Sequence, residues 1–242
     1  MSWATTKIPS AETGSASPRD AAYGAFVSRS RKTGNGAGAI WPGATERLRA
    51  CPAFGAIVQR VGPVELRSPR GGPFESLAAA IVYQQLAGKA AVTIHRRFVE
   101  VLGGRVQPET VLAAPEQRLR GAGLSRNKMA AIRDLAEKTA SGAVELDRLA
   151  TMGDREVVDH LTRVRGIGPW TAQMFLIFDL RRPDVWPTGD LGVRAGLGRV
   201  LGLAAPPTAA EAELIGTGYR PWRSALSWYC WRAVDGVADF VE

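Results

Sequence analysis

From Pro73 onward the apolar residues recur at three- and four-residue spacing, and polar or charged residues fill the positions between them. That period belongs to helices lying half-buried on a core, and no run alternates apolar and polar residues for long enough to read as a strand. Glycine and proline punctuate the pattern. The predicted helices are "FESLAAAIVYQQLAGKAAVTIHRRFVEVL", interrupted near Gly88, then "PEQRLRGAG", "RNKMAAIRDLAEKTASG", "DREVVDHLTRVRG", "PWTAQMFLIFDL", "LGVRAGLGRVL", "TAAEAELIGTG" and "PWRSALSWYCWRAV". An earlier stretch, "ATERLRACPAFGAIVQRV", has the same period. The fold class is therefore all-α, and with no fixed-period repeat a solenoid is not expected. Residues 1–40 are rich in Gly, Ser, Ala and Thr and lack sustained periodicity, which predicts a disordered or flexible basic tail ahead of a body over 41–242.

Composition narrows the chemistry. The 242 residues include two cysteines, Cys51 and Cys230, and two histidines, His95 and His160. Four-cysteine iron–sulfur and zinc sites cannot be assembled from this chain alone, so no iron–sulfur cluster is expected. Proton chemistry falls to carboxylates. No run approaches the ~20 apolar residues of a membrane span, so no membrane partner is expected. The formal charge of +8 suits a polyanion, although seven basic and three acidic residues within 1–50 supply half of the excess.

Two loops carry candidate chemistry. In "VRGIGPWTA", residues 164–172, Gly166 and Gly168 stand between two helices, with Pro169 near the first position of the second. A tight turn explains this, and so does a phosphate site, because small residues let a ligand approach amides at a positive helix end. In "DVWPTGDLGVRAGLG", Asp190 directly precedes another helix. It reads as an N-cap, and a carboxylate in that place facing a cleft can also stabilise a developing cation.

Taken together, "FESLAAAIVYQQLAGKAA", "GLSRNKMAAIRDLA", "LTRVRGIGPWTAQMFLIFDLRRPDVWPTGDLGVRAGLG" and "RPWRSALSWYCWR" resemble the helix-hairpin-helix, Gly/Pro-rich loop, Asp (HhH-GPD) superfamily of DNA glycosylases, in its AlkA-type DNA-3-methyladenine glycosylase II branch. The similarity runs from about Trp41 to Val234 and is most specific over residues 164–198. It implies two helical lobes with a DNA-binding cleft between them: a middle lobe over about 72–184, and a second built from 41–71 plus 185–242. It also implies a monofunctional glycosylase of base excision repair, which hydrolyses the N-glycosidic bond of alkylated bases of the 3-methyladenine and 7-methylguanine type flipped out of duplex DNA.

By the same resemblance Asp190 is the catalytic aspartate. Trp170, standing where lyase relatives carry a nucleophilic lysine, implies the absence of lyase activity. Trp170 and Trp231 are expected to stack on the base in a pocket that Met174 and Leu191 complete, whereas Trp222 and Trp228 are expected in the core. Leu86, with Gln85, is the expected wedge into the gap left by the flipped nucleotide. Gly166, Gly168, Thr171, Lys89 and Lys128 are expected on DNA phosphates, with Arg126 a further basic residue beside them. The main-chain carbonyls of Thr162, Val164 and Gly166 are a candidate site for Na+ or K+, and no other cofactor is required. The partner is damaged double-stranded DNA, met by a monomer in the cytoplasm with the nucleoid of a bacterium or in the nucleus of a eukaryote. The AlkA-type α+β domain ahead of the helical body is not expected here, since residues 1 to about 70 are too short and too poor in strand signal. A noncatalytic hairpin module, and a glycosylase for oxidised or deaminated bases, remain as alternative readings.

Overall fold

The computed structural model describes residues 40–66, 69, 71–86 and 88–235. The tail expected over 1–40 falls almost wholly outside them, as do the last residues of the body. The described residues form twelve α-helices: α1 (Pro42–Arg49), α2 (Gly55–Val61), α3 (Pro73–Tyr83), α4 (Gly88–Val101), α5 (Pro108–Ala113), α6 (Glu116–Gly121), α7 (Arg126–Ala140), α8 (Asp154–Leu161), α9 (Pro169–Phe178), α10 (Leu191–Leu201), α11 (Ala209–Gly216) and α12 (Arg223–Asp235). Short 3-10 turns at Leu146–Arg148 and Thr217–Tyr219 complete them. No extended strand occurs among the described residues, in keeping with the hydrophobic period.

The helix boundaries follow local chemistry. Proline occupies the first turn of α1, α3, α5 and α9, where its missing N–H has no intrahelical partner to lose. Ser125 caps α7 through the Lys128 amide, and Thr208 and Glu211 close a reciprocal capping box on α11. Gly202, at φ 68°, ends α10 in the left-handed conformation. The interruption expected near Gly88 falls at Gln84–Leu86, where Gln85 reverses hand at φ 56°. The six-residue α5 was not among the predicted helices.

Helices pack in two groups. In the first, α3 lies on α4 and α7, α7 also holds α5 and α6, and α8 pairs with α9. In the second, α10 runs against α12, which in turn holds α1 and α2. The α10–α12 approach depends on Gly196, where an added Cβ would overlap the backbone carbonyl of Cys230. Phe54, Phe98, Phe175, Tyr229 and Trp231 are the largest fully buried side chains, and Trp228 joins them in the core as expected. Trp222 packs against it, partly buried.

The segment between the groups is stapled to the start of α12. Arg223, nearly buried, donates from Nε to Asp184 Oδ1 at 2.7 Å and from Nη2 to Oδ2 at 2.9 Å. Ser224 Oγ donates to the Arg182 carbonyl at 2.6 Å and accepts the Val185 amide at 2.9 Å. These bonds fix the residues leading to Asp190 on the helix that carries Trp231.

Candidate active site

Asp190 stands at the start of α10, where the chain passes from Pro187 into the helix, with its own amide on the Pro187 carbonyl at 2.9 Å. Its side chain is the N-cap: Oδ1 accepts the Val193 amide at 2.7 Å. Two tryptophans from different helices complete its surroundings. Trp231 of α12 donates Nε1–H to the same Oδ1 at 3.0 Å, and Trp170 of α9 donates to Oδ2 at 2.6 Å. Asp190 is only 6% exposed. Both lone pairs of Oδ1 are thus engaged, while Oδ2 has one N–H and one lone pair left.

The sequence makes room for this arrangement. A Cβ at Gly192 would stand 3.0 Å from Trp231 Cδ1 and 3.1 Å from Asp190 Oδ1, so glycine there admits the indole edge to the carboxylate. Gly196, one turn on, lets α12 come close enough to deliver it. Trp231 is 2% exposed and stacks on Phe178 with ring centroids 5.8 Å apart. Its ring face is covered, and its N–H is what it offers to the site. Trp170, by contrast, is only partly buried. Leu191, the residue after the aspartate, is 52% exposed, while Met174 is fully buried in α9 and presents nothing to the surface.

The hairpin between α8 and α9 is held from several sides. Gly166 adopts φ 79°, and its Cα hydrogens face Ala131 of α7, where a Cβ would lie 3.1 Å from the alanine Cβ. Asp134 Oδ2 accepts the Arg165 amide at 2.7 Å and the Lys138 ammonium at 2.7 Å, and Lys138 also donates to the Arg163 carbonyl at 2.6 Å. Burial pushes the Asp134 carboxyl upward, yet these donors outweigh it and hold the pKa below the ordinary carboxylate value. His160, buried in α8, accepts the Glu145 amide on Nε2 at 2.8 Å; burial, then the Arg163 charge, keep its imidazole below the usual 6.5. The Pro169 start of α9 leaves Gly168 exposed at the positive end of the helix.

The remaining predicted contacts are distributed unevenly. Gln85 and Leu86 project from the α3–α4 loop, exposed and half-buried respectively. Lys89 is exposed, whereas Lys128 turns inward: its Nζ donates to the Val82 carbonyl at the end of α3 at 2.7 Å, and burial lowers its pKa to about 8. Thr171 is buried inside α9 rather than open at the hairpin. Of the candidate cation ligands, the Val164 carbonyl accepts the Ile167 amide and that of Gly166 accepts Gln84 Nε2 at 2.9 Å. Each of these two carbonyls has one such bond and keeps a second lone pair. Among the described residues no cluster of three His, Cys, Asp or Glu side chains is placed to hold a metal ion. The contributions of Gln84, Asp134, Lys138 and Phe178 were not foreseen. Only the Asp134–Lys138 pair had a sequence signal, its i,i+4 spacing on a helix.

A hairpin of this kind, followed by a proline-rich loop and an aspartate at a helix start, defines a class of DNA-repair folds. The chain belongs to the HhH-GPD superfamily of base excision DNA repair proteins, whose family model matches residues 78–219. A curated relative, DNA-3-methyladenine glycosylase 1 of Schizosaccharomyces pombe, is 34% identical over 176 residues, covering 70% of this chain and 75% of its own. The solved structure of a 3-methyladenine DNA glycosylase from that yeast, in complex with abasic DNA, superposes with a TM-score of 0.71 at 31% identity, covering 83% of this chain and all of that one. A DNA-3-methyladenine glycosidase from Bacillus halodurans gives 0.67 at 30% identity, covering 79% and 93% of the two chains. Among the described residues no helix is long and apolar enough to cross a membrane.

Proposed function

We propose that this chain is a monofunctional DNA glycosylase that removes alkylated bases of the 3-methyladenine and 7-methylguanine type from duplex DNA, and that Asp190 is its catalytic carboxylate. The observation that carries this reading is the aspartate itself: a nearly buried anion at a helix start, oriented by two indole N–H groups, with one lone pair of Oδ2 uncommitted. An N-alkylated purine is already cationic, so it departs with the electron pair of the C1′–N bond as a neutral molecule and needs no acid. The sugar is left as an oxocarbenium-like cation, which the uncommitted edge of Asp190 stabilises electrostatically. Water then adds to C1′, and the proton it releases passes to solvent. Trp170 offers no amine for a Schiff base, so the abasic product is not cleaved.

In this reading α3–α9 form one lobe and α1, α2 and α10–α12 the other, and the DNA lies across the face where Asp190, Trp170, Leu191 and the hairpin meet. The amides at Gly166 and Gly168 grip a phosphate. The carbonyls of Thr162, Val164 and Gly166 would hold a monovalent cation bridging to it. Leu86 fills the gap opened by base flipping, offsetting part of a cost of a few kcal/mol. The enzyme works as a monomer wherever chromosomal DNA is kept, at the nucleoid or in the nucleus.

The test is excision from duplex oligonucleotides containing 7-methylguanine, a stable 3-methyladenine analogue, hypoxanthine or ethenoadenine, scored as free base and, separately, as strand breaks with and without alkali. Release of the alkylated bases with breaks only after alkali is the expected result. Tight DNA binding with no base released from any lesion overturns the reading in favour of a noncatalytic hairpin module, and covalent trapping on abasic DNA by borohydride would place the chain among the lyases.

A further inference from the structure

We propose that Gln84 is a positioning residue that couples the α3–α4 loop to the hairpin, so that gripping a phosphate and inserting Leu86 become a single event. Helix α3 ends at Tyr83, Gln84 leaves it at φ −52°, ψ 134°, and Gln85 turns left-handed at φ 56°. The direction in which Leu86 is presented is therefore decided at residues 84 and 85. The Gln84 side chain reaches across 82 positions of sequence and donates Nε2–H to the Gly166 carbonyl at 2.9 Å. That peptide is the pivot of the hairpin: Gly166 is left-handed, and the next amide, Ile167, closes the turn on the Val164 carbonyl at 3.1 Å.

A glutamine just past a helix end commonly serves its own helix. Here that task is taken by other groups. Lys128 Nζ covers the Val82 carbonyl at 2.7 Å, and the backbone amide of Gln84 bonds the Ile81 carbonyl. The side-chain amide is left as a cross-link between two loops that otherwise belong to different helix pairs. Asp134 and Lys138 hold the far side of the same hairpin from α7, so a shift of the turn on phosphate binding is transmitted toward Gln84 rather than absorbed.

The inference rests on the glycosylase reading, and its test separates the two. Gln84→Glu keeps the length but sets a carboxylate against the Gly166 carbonyl, and Gln84→Ala removes the contact. Both are compared with the unaltered chain in single-turnover release of 7-methylguanine from two duplexes, one with cytosine opposite the lesion and one with an abasic analogue opposite, where flipping is cheaper. The expected result in both variants is a rate roughly tenfold lower, about 1.4 kcal/mol, on the paired duplex only, with the salt dependence of DNA binding unchanged. Equal loss on both duplexes, loss in one variant alone, or no loss overturns the coupling. If the unaltered chain itself releases no base, the glycosylase reading fails instead. The coupling is then read from the fluorescence of 2-aminopurine paired in duplex DNA, which both variants should raise less than the unaltered chain; equal signals overturn it.

Discussion

Replacing Asp190 with asparagine keeps the shape of the side chain and removes its charge, and the surrounding donors make the consequence calculable. An amide oxygen at the Oδ1 position can keep the bonds from Val193 and Trp231, but the amide nitrogen then meets Trp170 Nε1, another donor, across a separation of 2.6 Å in the parent. Losing a hydrogen bond to a charged acceptor costs about 1.5–3 kcal/mol. Relief of the desolvation penalty on a nearly buried anion is of similar size and opposite sign, so the stability of the fold changes little. The chemistry loses much more. A full negative charge about 4 Å from an oxocarbenium carbon contributes about 4 kcal/mol at an effective dielectric near 20, which corresponds to roughly a thousandfold in rate. Single-turnover release of 7-methylguanine should therefore fall by about three orders of magnitude in Asp190→Asn, while binding to a duplex bearing an abasic analogue is retained. A variant that still releases base within tenfold of the parent refutes the assignment of Asp190, because no other placement of the charge is then needed.

Three further outcomes are expected. Trp170→Phe keeps an aromatic face but removes the N–H on Oδ2; excision should fall about tenfold with KM unchanged, and an unchanged rate constant would mean that only the ring matters. Gly196→Ala should lower the urea unfolding free energy by at least about 2 kcal/mol, because the new methyl meets the fixed backbone of Cys230 rather than a movable side chain; a change under about 0.5 kcal/mol would refute the close α10–α12 contact. Burial, and then Arg163, depress the pKa of His160, so the unfolded chain binds its proton more readily. That contribution to stability is complete above pH 6.5 and is lost as pH falls toward the lower folded value; the urea midpoint should drop on acidification below pH 6.5, and His160→Gln should flatten that dependence.

Much of the architecture was legible because it depends on patterns the backbone enforces locally. The three-to-four period gave the long helices, and Gly/Pro punctuation gave the hairpin and the turn before Asp190. The α3–α4 break was legible in the same way, although glycine drew attention to position 88 while the chain reverses hand at Gln85. The six-residue α5 was not, although α6, of the same length, was read within "PEQRLRGAG". Side-chain direction was the harder matter. Lys128 and Lys89 look alike in sequence, yet one caps an internal carbonyl and the other faces solvent. Nothing short of the packing of α7 on α3 distinguishes them.

The tryptophans show where sequence reasoning stops and why. Aromatic residues near a cleft suggest stacking, because ring faces are their largest surface, and residue type alone gives no information on where the N–H points. In the structure Trp231 has Phe178 on its face, and its polar edge, like that of Trp170, converges on one carboxylate. The residues that make this possible are glycines: Gly192 clears space for the indole edge, and Gly196 lets its helix approach. A low-bulk stripe on α10 therefore carries as much of the site as the aspartate that begins it. The Arg223 and Ser224 staple adds the remaining constraint, because it fixes the chain entering Asp190 to the helix bearing Trp231. A carboxylate held by three N–H groups, one each from α9, α10 and α12, is fixed in orientation. In the proposed reading the flipped nucleotide is therefore brought to it, and recognition falls to the loops proposed to grip and open the DNA.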